Sequence, residues 1–484
     1  MKRAVFALVC LVWPSMAVAQ STEQAVNSIT EADIYRHIEV MAHDSMRGRD
    51  TPSPELDLTA EYVASEFRRI GLKPGAEDGS YIQRYPLTEG RRQLSVAISG
   101  TSGWQPGDDV VQMSGGGFEA SGPLVLVTGS GEPTQPIQVE DAIVLVAAEW
   151  GGRGLSAPSQ QLVTAVQAGN PSVVIIATDL SDRFWGYFSR GQNRSQVTMG
   201  SATETPTDAP TLFTRLATAQ ELLARVDVEP SWQGEPSFRT LSGLNFDITA
   251  SFQTSPRSAP NTVGILEGSD PVLKDEYIVL SAHMDHIGVA SNAVDGDSIN
   301  NGADDNASGT AAIIEAAEAF AMMNPGPKRS MIFLAVSGEE KGMWGSAHYS
   351  ENPSVPISQI VADINTDMIG RNWTDTIVAI GKEYSDLGET LDRVNAEHPE
   401  LNMAAIDDIW PEERFYYRSD HYSFAEKGVP VLFFFNGTHE DYHGVNDEIE
   451  KVNTEKATRI VKLMFYLSLE IANSPEKPKW KQTG

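Results

Sequence analysis

The sequence predicts an α/β fold with a doubly wound, mostly parallel sheet and a smaller β-rich inserted domain. Short apolar runs alternate with helical patterns in the C-terminal half, which is typical of a parallel sheet covered by helices. A different texture, short strands separated by Gly, Ser and Pro, occupies the middle of the chain and indicates the insert. The runs interpreted as buried strands are YIVL, SMIFLAV, QIVADI and VPVLFFF, and the Ala-rich run GTAAIIEAAEAFAMM predicts a helix between the first two.

Side chains that can bind a metal follow these strands. Sheets of this kind place their ligands at the carboxyl ends of the strands, so we expect these side chains to converge there. The motifs are SAHMDHIG with His283, NNGADDNASG with Asp305, SGEEKG with Glu339 and Glu340, NTDMIG with Asp367, and DYHGVNDEIEKV with His443.

Imidazole nitrogens and carboxylate oxygens are ligands that zinc accepts, and two zinc ions roughly 3.5 to 4 Å apart need one carboxylate to bridge them. We assign Asp305 as that bridge. Asp285, two residues beyond His283, is better placed to orient the imidazole than to bind metal. One of the adjacent glutamates, Glu339 or Glu340, is expected to take the proton from an attacking water, and the residues alone leave open which one.

The ordered motifs HxD, GADDNASG, GEE, DMIG and YHxxxD closely resemble those of the co-catalytic di-zinc exopeptidases. That family includes bacterial leucyl aminopeptidase, Streptomyces-type aminopeptidase and glutamate carboxypeptidase. The resemblance implies two zinc ions per chain, one held by His283 and Asp367 and the other by Glu340 and His443. It further implies Asp305 as the bridge and Glu339 as general acid and base. Asp305 is preferred over Asp304 because it stands three residues before Ser308, the spacing of the family's bridge.

The same resemblance implies a cis peptide between Asp305 and Asn306, and a role for the Tyr442 hydroxyl in stabilising the tetrahedral intermediate. The implied activity is that of an aminopeptidase acting on peptides with a free N-terminus. A metallo-carboxypeptidase or dipeptidase on the same centre and a glutaminyl cyclase are the alternatives, and a non-enzymatic binding module is disfavoured because neither the ligands nor the base are missing.

Other residues near the motifs carry weaker signals. His286, His421 and His439 are candidates to line the cleft. The segment 419–424 resembles the family segment that borders the substrate pocket, although an ordinary helix start explains it equally well, and Tyr417 and Arg418 are candidates to meet substrate. The loop VDGDSINNGADDN is similar to a calcium loop but lacks the later glutamate. The remaining histidines of the motif-free regions are expected at the surface or in packing: His37, His43, His348 and His398.

Composition excludes some classes of partner. The formal net charge of −30 argues against nucleic acid and against anionic membrane surfaces. Apolar residues make up 41% of the chain, so a large core is possible and disorder is not expected. The sole cysteine, Cys10, leaves the expected mature chain without a thiol or disulfide.

Targeting and domain boundaries complete the expectations. Residues 1–19 read as a secretory signal peptide, so we expect export to the periplasm or outside the cell, with no stable membrane anchor because the apolar run is too short. We expect the N-terminal part of the catalytic domain at 20–120, with two helices around an Arg-containing turn. A protease-associated-like insert is expected at 121–240, the main catalytic domain at 241–473 and a flexible tail at 474–484. The oligomeric state is not predicted.

Overall fold

The computed structural model describes residues 22–134, 137–151, 154–192, 195–200 and 209–481. They form two compact units, one from the segments up to Tyr85 and from Ser258 onward, and the other from Pro86–Arg257. The predicted signal peptide lies outside the described residues. No helix in the described ranges is both long enough and apolar enough to cross a membrane.

The elements follow the chain in an alternating order. The strands are β1 (Lys73–Pro74), β2 (Ile82–Ile98), β3 (Val110–Ser114), β4 (Phe118–Thr128), β5 (Ile143–Ala148), β6 (Val173–Thr178), β7 (Gln196–Met199), β8 (Thr211–Arg215), β9 (Ser237–Leu266), β10 (Tyr277–His283), β11 (Val289–Val294), β12 (Asp297–Ile299), β13 (Ser330–Val336), β14 (Ile360–Asp367), β15 (Thr376–Ile380), β16 (Ala404–Ile406) and β17 (Val431–Phe435). The helices are α1 (22–28), α2 (Glu31–Met41), α3 (Pro54–Ile70), α4 (Ala157–Ala168), α5 (Asp182–Gln192), α6 (Leu216–Leu223), α7 (Gly309–Met322), α8 (Trp344–Glu351), α9 (Leu387–Glu397), α10 (His421–Ala425) and α11 (Thr454–Asn473).

The first unit carries the sheet that ends in the metal-binding motifs. Its strand order is β16-β15-β17-β14-β10-β13, followed by the C-terminal part of β9. The central pairs β13–β10, β10–β14 and β14–β17 are parallel, whereas β15–β17 and β13–β9 are antiparallel. The predicted α/β class is confirmed, and the sheet is parallel at its centre with one antiparallel pair on either side, β15–β17 and β13–β9.

Helices cover both faces of this sheet, which is why its strands are apolar without alternation. On β13, the ring of Phe333 lies 6.4 Å from that of Phe67 on α3 and 6.3 Å from that of Phe320 on α7. The next residue, Leu334, points to the opposite face, where it belongs to a buried cluster with Tyr349 and Phe424 of α8 and α10. The strands are therefore held between two apolar layers, and their carboxyl ends are left for polar residues.

The two helices predicted near the N-terminus are α2 and α3, separated by the short turn Asp44–Arg49. Helix α3 begins where the Ser53 hydroxyl accepts a hydrogen bond from the Leu56 N–H at 3.0 Å. It ends at Gly71, whose φ of 91° is open to glycine at little cost. Local sequence thus sets both ends of the helix, and the turn before it brings Arg49 into the interior of the unit.

The second unit is wider than the predicted insert at 121–240. Strand β3, which precedes that range, pairs with β8, and the first part of β9 pairs with β4 from Ser237 to Ala250. These hydrogen bonds explain why the unit extends over Pro86–Arg257. Its core strands β4, β5, β6 and β8 pair in parallel; α4 and α5 lie between them in sequence, and α6 follows β8. The unit therefore contains helices as well as the expected strands.

The segment predicted to be a flexible tail, 474–484, makes hydrogen bonds in its described part, up to residue 481. The main-chain N–H of Lys479 donates to Asp386 at 2.8 Å, and the Trp480 indole N–H donates to the Gly428 carbonyl at 2.8 Å. The N–H of Lys481 donates to the Tyr384 carbonyl, also at 2.8 Å. Lys and Pro content predicted mobility, but the indole and the main chain find fixed partners on the first unit.

Candidate metal centre

Neighbouring parallel strands bring the predicted metal ligands to one edge of the sheet. Strand β10 ends at His283 and its neighbour β14 ends at Asp367. On the other side of β10, β13 ends at Val336, directly before the turn Glu339–Lys341. Because these strands run in the same direction, their polar ends project from the same edge.

Asp305 reaches this edge through a tight turn, Ala303–Ser308, directly before α7. The side chain of Asn306 holds the turn, donating to the Thr366 carbonyl at 3.0 Å and accepting from the Gly309 N–H at 2.9 Å. The peptide bond between Asp305 and Asn306 is cis, in agreement with what the resemblance implies. Thr366 precedes Asp367 on β14, so this contact sets the two aspartates side by side.

A first group of metal-binding atoms consists of His283, Asp305 and Asp367, all buried. The His283 Nε2 lies 3.4 Å from Oδ1 of Asp305 and 3.3 Å from Oδ1 of Asp367. Tetrahedral zinc with bonds of about 2.0 to 2.2 Å requires ligand atoms separated by about 3.3 to 3.5 Å. The imidazole nitrogen therefore already lies at zinc-ligand spacing from each aspartate, and all three donor atoms lie within 4.8 Å of one another.

A second group surrounds the other oxygen of Asp305. Its Oδ2 lies 3.3 Å from Nε2 of His443 and 3.6 Å from Nδ1 of His286. The Glu340 carboxylate lies between the two rings, with Oε1 2.8 Å from His286 Nδ1 and Oε2 3.0 Å from His443 Nε2. One carboxylate thus faces a different group with each of its oxygens, which is the arrangement of a bridge between two ions.

Unpaired polar atoms in these groups fit a cation. Among the described residues, Oδ1 of Asp367, Oε1 of Glu340 and the ring nitrogens of His286 are buried without a well-formed hydrogen bond, although Nδ1 of His286 lies 2.8 Å from that Oε1. Buried polar atoms without a partner are rare because they lose hydration without compensation. Zinc binds imidazole nitrogen and carboxylate oxygen, so the donor set fits zinc.

Local pKa values report how negative the cavity is. Burial by itself lowers the pKa of His283, but the charge of Asp367 and the hydrogen bonds around it raise that pKa well above its ordinary value. For His443, burial also lowers the pKa, and the contacts with Asp305 and Glu340 outweigh it and raise the pKa to about 10. Without a metal the cavity holds protons on these rings, and a bound cation would take their place.

Glu339 stands at the start of the turn after β13 and lines the same small cleft. Burial raises the pKa of its carboxyl group well above the ordinary value, against the opposing effect of His283. Gly338 before it has a φ of 75°, and a Cβ there would lie 2.7 Å from the Tyr85 hydroxyl, so the turn requires glycine. The cleft is lined by Asp305, Glu339, Asp367, Met368, Phe415, Arg418, Ser419, Phe433, Phe435, Thr438 and Tyr442.

Tyr442 is among these residues, and its ring stacks on that of His443 with centroids 3.9 Å apart. Burial, together with the charges of Asp305 and Glu340, raises the pKa of its phenol above the ordinary value. The phenol therefore keeps its proton at neutral pH and can donate a hydrogen bond into the cleft.

Asp285 contacts His283 differently from the expectation. The imidazole Nδ1 lies 3.1 Å from the main-chain oxygen of Asp285 but 3.7 Å from its carboxylate. The carboxylate oxygen Oδ2 instead accepts hydrogen bonds from the Thr51 hydroxyl and the Gly338 N–H, each at 2.8 Å. Its main chain orients the histidine, and its side chain fixes the turn that carries Glu339.

Two residues that hold the centre were not singled out from the sequence. Arg49 is fully buried and donates to the main-chain oxygens of Met284 at 2.8 Å and Gly302 at 2.6 Å, on either side of the centre. Asp447 accepts from the Asp304 N–H at 3.1 Å and the Asp305 N–H at 3.0 Å. Asp447 belongs to the YHxxxD motif, which was a usable signal, whereas nothing local distinguished Arg49 from a surface arginine.

The remaining candidates separate clearly. His286 joins the second group, but His421 stacks on Phe433 with ring centroids 4.5 Å apart. Asp304 accepts from the Gly370 N–H at 2.6 Å, and its other oxygen lies 3.5 Å from Nε2 of His439. Asp304, His439 and His421 therefore lie beside the two metal-binding groups rather than in them.

Known proteins with similar sequences are metallopeptidases by name. A probable zinc metalloprotease of Leptosphaeria maculans is 24% identical over 263 residues, covering 46% of this chain and 60% of the relative. Aminopeptidase YwaD of Bacillus subtilis is 26% identical over 234 residues, covering 46% of this chain and 47% of the relative. The chain spans about half the length of the curated relatives it matches.

Solved structures share the fold over nearly the whole chain. An aminopeptidase from Aneurinibacillus sp. strain AM-1 has a TM-score of 0.54 at 16% identity, covering 94% of this chain and 97% of that one. BSAP, a zinc aminopeptidase from Bacillus subtilis, has a TM-score of 0.51 at 17% identity, covering 93% and 96%. The family model that matches is that of Peptidase family M28, over residues 261–468. That segment carries every residue of both metal-binding groups, so the chain is similar to Peptidase family M28 in the part that forms the candidate metal centre.

Proposed function

We propose that the protein is an exported, zinc-dependent aminopeptidase that binds two zinc ions and removes residues from the free N-terminus of peptides. The observation that carries the proposal is the position of Asp305. Its two oxygens lie 3.4 Å from His283 on one side and 3.3 Å from His443 on the other, so a single carboxylate serves two metal-binding groups. The names of the relatives, zinc metalloprotease and aminopeptidase, support the same chemistry.

His283 and Asp367 would hold one ion, Glu340 and His443 the other, and Asp305 would bridge them. Bound zinc supplies Lewis acidity that polarises the scissile carbonyl and makes water more acidic. The enclosing residues exclude bulk water and fix the ligands: Arg49 and Asp447 hold the turn of Asp305 through main-chain hydrogen bonds.

Glu339 is the proposed general base and acid. Its carboxylate takes a proton from the water that attacks the carbonyl carbon, and the new C–O bond forms as the carbonyl oxygen becomes negative. Glu339 then returns the proton to the leaving nitrogen as the C–N bond breaks, so that an amine and a carboxylic acid result. Glu339 lines the cleft together with Asp305 and Asp367, which places its carboxylate where a proton can be accepted and then delivered. The phenol of Tyr442 donates a hydrogen bond to the developing oxyanion.

The polarity of cleavage is supported by the name of one relative, aminopeptidase YwaD. The other candidate is a carboxypeptidase, which requires a cation for the terminal carboxylate. Arg418 lines the cleft, and its guanidinium lies 4.7 Å from the centre of the Phe415 ring, so it is the residue a carboxypeptidase would use.

Export and the identity of the second unit belong to the same proposal. Residues 1–19 carry the features of a signal peptide, which supports periplasmic or extracellular action. The unit Pro86–Arg257 is proposed to be a protease-associated-like domain, on the ground of its short strands and its place within the catalytic chain.

The test is product analysis by mass spectrometry on the zinc-loaded protein. The substrates are peptides with free or acetylated N-termini, paired with free or amidated C-termini. We expect stepwise loss from free N-termini alone. Loss from free C-termini would instead support the carboxypeptidase, and cyclisation of N-terminal glutamine would support a glutaminyl cyclase. No product from any peptide would refute the enzymatic proposal.

Variants assign the role of the base. Glu339→Gln keeps the size of the side chain and removes the proton acceptor, so we expect turnover to fall about 10²- to 10⁴-fold. Glu351→Gln is the matched control, because Glu351 lies on α8 and is paired only loosely with Lys427, at 3.5 Å. If both variants retain the wild-type rate, Glu339 is not the base.

A further inference from the structure

The second metal-binding group contains one histidine more than the resemblance assigns to it. We propose that His286 binds the second zinc ion through Nδ1, together with Asp305, Glu340 and His443, so that this ion has four protein ligands. The inference rests on the proposed function, because it concerns one of the same two ions.

Distances support ligation by His286. Its Nδ1 lies 2.8 Å from Oε1 of Glu340 and 3.6 Å from Oδ2 of Asp305. The corresponding distances from Nε2 of His443 to the two carboxylates are 3.0 and 3.3 Å. The His286 distances lie on either side of the separation of about 3.3 to 3.5 Å expected between ligands of one tetrahedral zinc ion, and the His443 distances lie at or just below it.

His286 is fully buried beside two carboxylates of the second group. Its Nδ1 faces Oε1 of Glu340 at 2.8 Å, and Nε2 has no hydrogen-bond partner among the described residues. His286, Asp305 and Glu340 each offer a ligand atom, and these atoms lie close enough together to hold one ion. A metal ion between them would bind Nδ1 of His286 and Oε1 of Glu340 at the same time.

The chain behind the ring keeps it in this position. Gly302 has a φ of 59°, and a Cβ at that residue would lie 2.5 Å from Cγ of His286. The ring thus packs directly on the glycine main chain, which Arg49 fixes by its hydrogen bond of 2.6 Å to the Gly302 carbonyl. A side chain held so closely can present Nδ1 to a metal without much loss of freedom.

The two zinc sites are then unequal. The first, with His283, Asp305 and Asp367, has three protein ligands and keeps an open position. The second, with four, is closed in the way that structural zinc sites are. We therefore expect the second ion to be bound more tightly than the first and to be the last one removed by a chelator.

X-ray absorption at the zinc edge tests the ligand count in the wild-type protein loaded with two zinc ions. Outer-shell scattering is expected to indicate three imidazoles per two zinc ions, and two imidazoles would overturn the inference. Protein that binds no zinc at all would instead refute the proposed function, so the two failures can be told apart.

A variant tests the same point through zinc affinity. His286→Asn places an amide near the position of Nδ1, so it can still hydrogen-bond to Glu340 but cannot bind zinc as imidazole does. We expect one of the two ions to bind about 100-fold more weakly in competition with a chelator, and the imidazole count to fall by one. His348→Asn is the control, because His348 is half-buried against Tyr85, with ring centroids 5.6 Å apart, away from both groups.

Circular dichroism of the metal-free proteins checks that both variants fold. Wild-type affinity for both ions in folded His286→Asn would show that the ring only positions Glu340, and would overturn the assignment as ligand. If that variant does not fold, the imidazole count of the wild-type protein decides the question by itself.

Discussion

Replacing Arg49 by Met is the most direct test of how the centre is built. The guanidinium is fully buried and donates to the main-chain oxygens of Met284 at 2.8 Å, Met41 at 3.1 Å and Gly302 at 2.6 Å, and also to that of Asn301. Methionine fills much of the same space but donates nothing. The variant therefore leaves these four carbonyl groups, and the more distant one of Asp305 at 3.4 Å, without their donor while keeping most of the packing.

The magnitude follows from these contacts. A buried acceptor left without its donor costs about 1 to 3 kcal/mol, and relaxation and water entry recover part of the sum. Removing the arginine also removes the cost of its own burial, which lowers the pKa of Arg49 to about 10 against the opposing charges of Asp305 and Asp285. We expect a net loss of about 3 to 5 kcal/mol in the free energy of unfolding, as for breaking other buried charged networks.

Urea unfolding of the metal-free protein, followed by circular dichroism, measures this loss. The control is Arg393→Met, since Arg393 is half-exposed and its contact of 2.8 Å with Glu470 is a surface pair worth about 0 to 1 kcal/mol. Zinc affinity of the Arg49 variant should also fall, by about 10- to 100-fold, because the turn of Asp305 loses its support. The reasoning is refuted if Arg49→Met unfolds at the same urea concentration as the control.

Two further predictions concern residues around the centre, and a third concerns a buried pair remote from it, Glu315 and His37. Thr51→Val removes the hydroxyl that donates to Asp285 at 2.8 Å, so zinc should bind about 10-fold more weakly. Competition with a chelator measures this affinity, and an unchanged value would contradict the prediction. Tyr442→Phe removes the hydroxyl proposed to donate to the oxyanion. Steady-state kinetics should therefore show kcat reduced about 10²-fold with KM nearly unchanged, whereas a change in KM alone would assign Tyr442 to substrate binding. Burial raises the pKa of Glu315 to about 8, so the folded state prefers the protonated carboxyl, and the wild type should lose stability as pH rises from about 5 to 8. Glu315→Gln should remove this loss, worth roughly 2 to 4 kcal/mol in urea unfolding at pH 8.5, whereas parallel pH profiles would rule the assignment out. Below pH 6.5 the neighbouring His37, whose pKa burial lowers to about 4, should destabilise both proteins alike.

The elements of the catalytic unit could be predicted because their signals are local. A run such as SMIFLAV needs burial on both faces, and it forms β13 at Ser330–Val336. The Ala-rich run forms α7 at Gly309–Met322, and the motifs after the strands place His283 and Asp367 at one edge by strand direction alone. The boundary of the second unit was harder, since it depends on pairing between β3 and β8, far apart in the chain.

The sequence by itself therefore determined the α/β class, the strands and the residue types available for metal binding, because hydrophobic periodicity and short motifs act over a few residues. Only the tertiary structure decided which atoms meet. It turned Asp304 toward Gly370 and left Asp305 between the two groups, and it placed His286 beside Glu340, 54 residues away in the chain. It also buried Arg49 against Gly302. These choices depend on contacts between distant segments, whose energies come from desolvation and hydrogen bonding in the folded interior and leave no pattern in the local sequence.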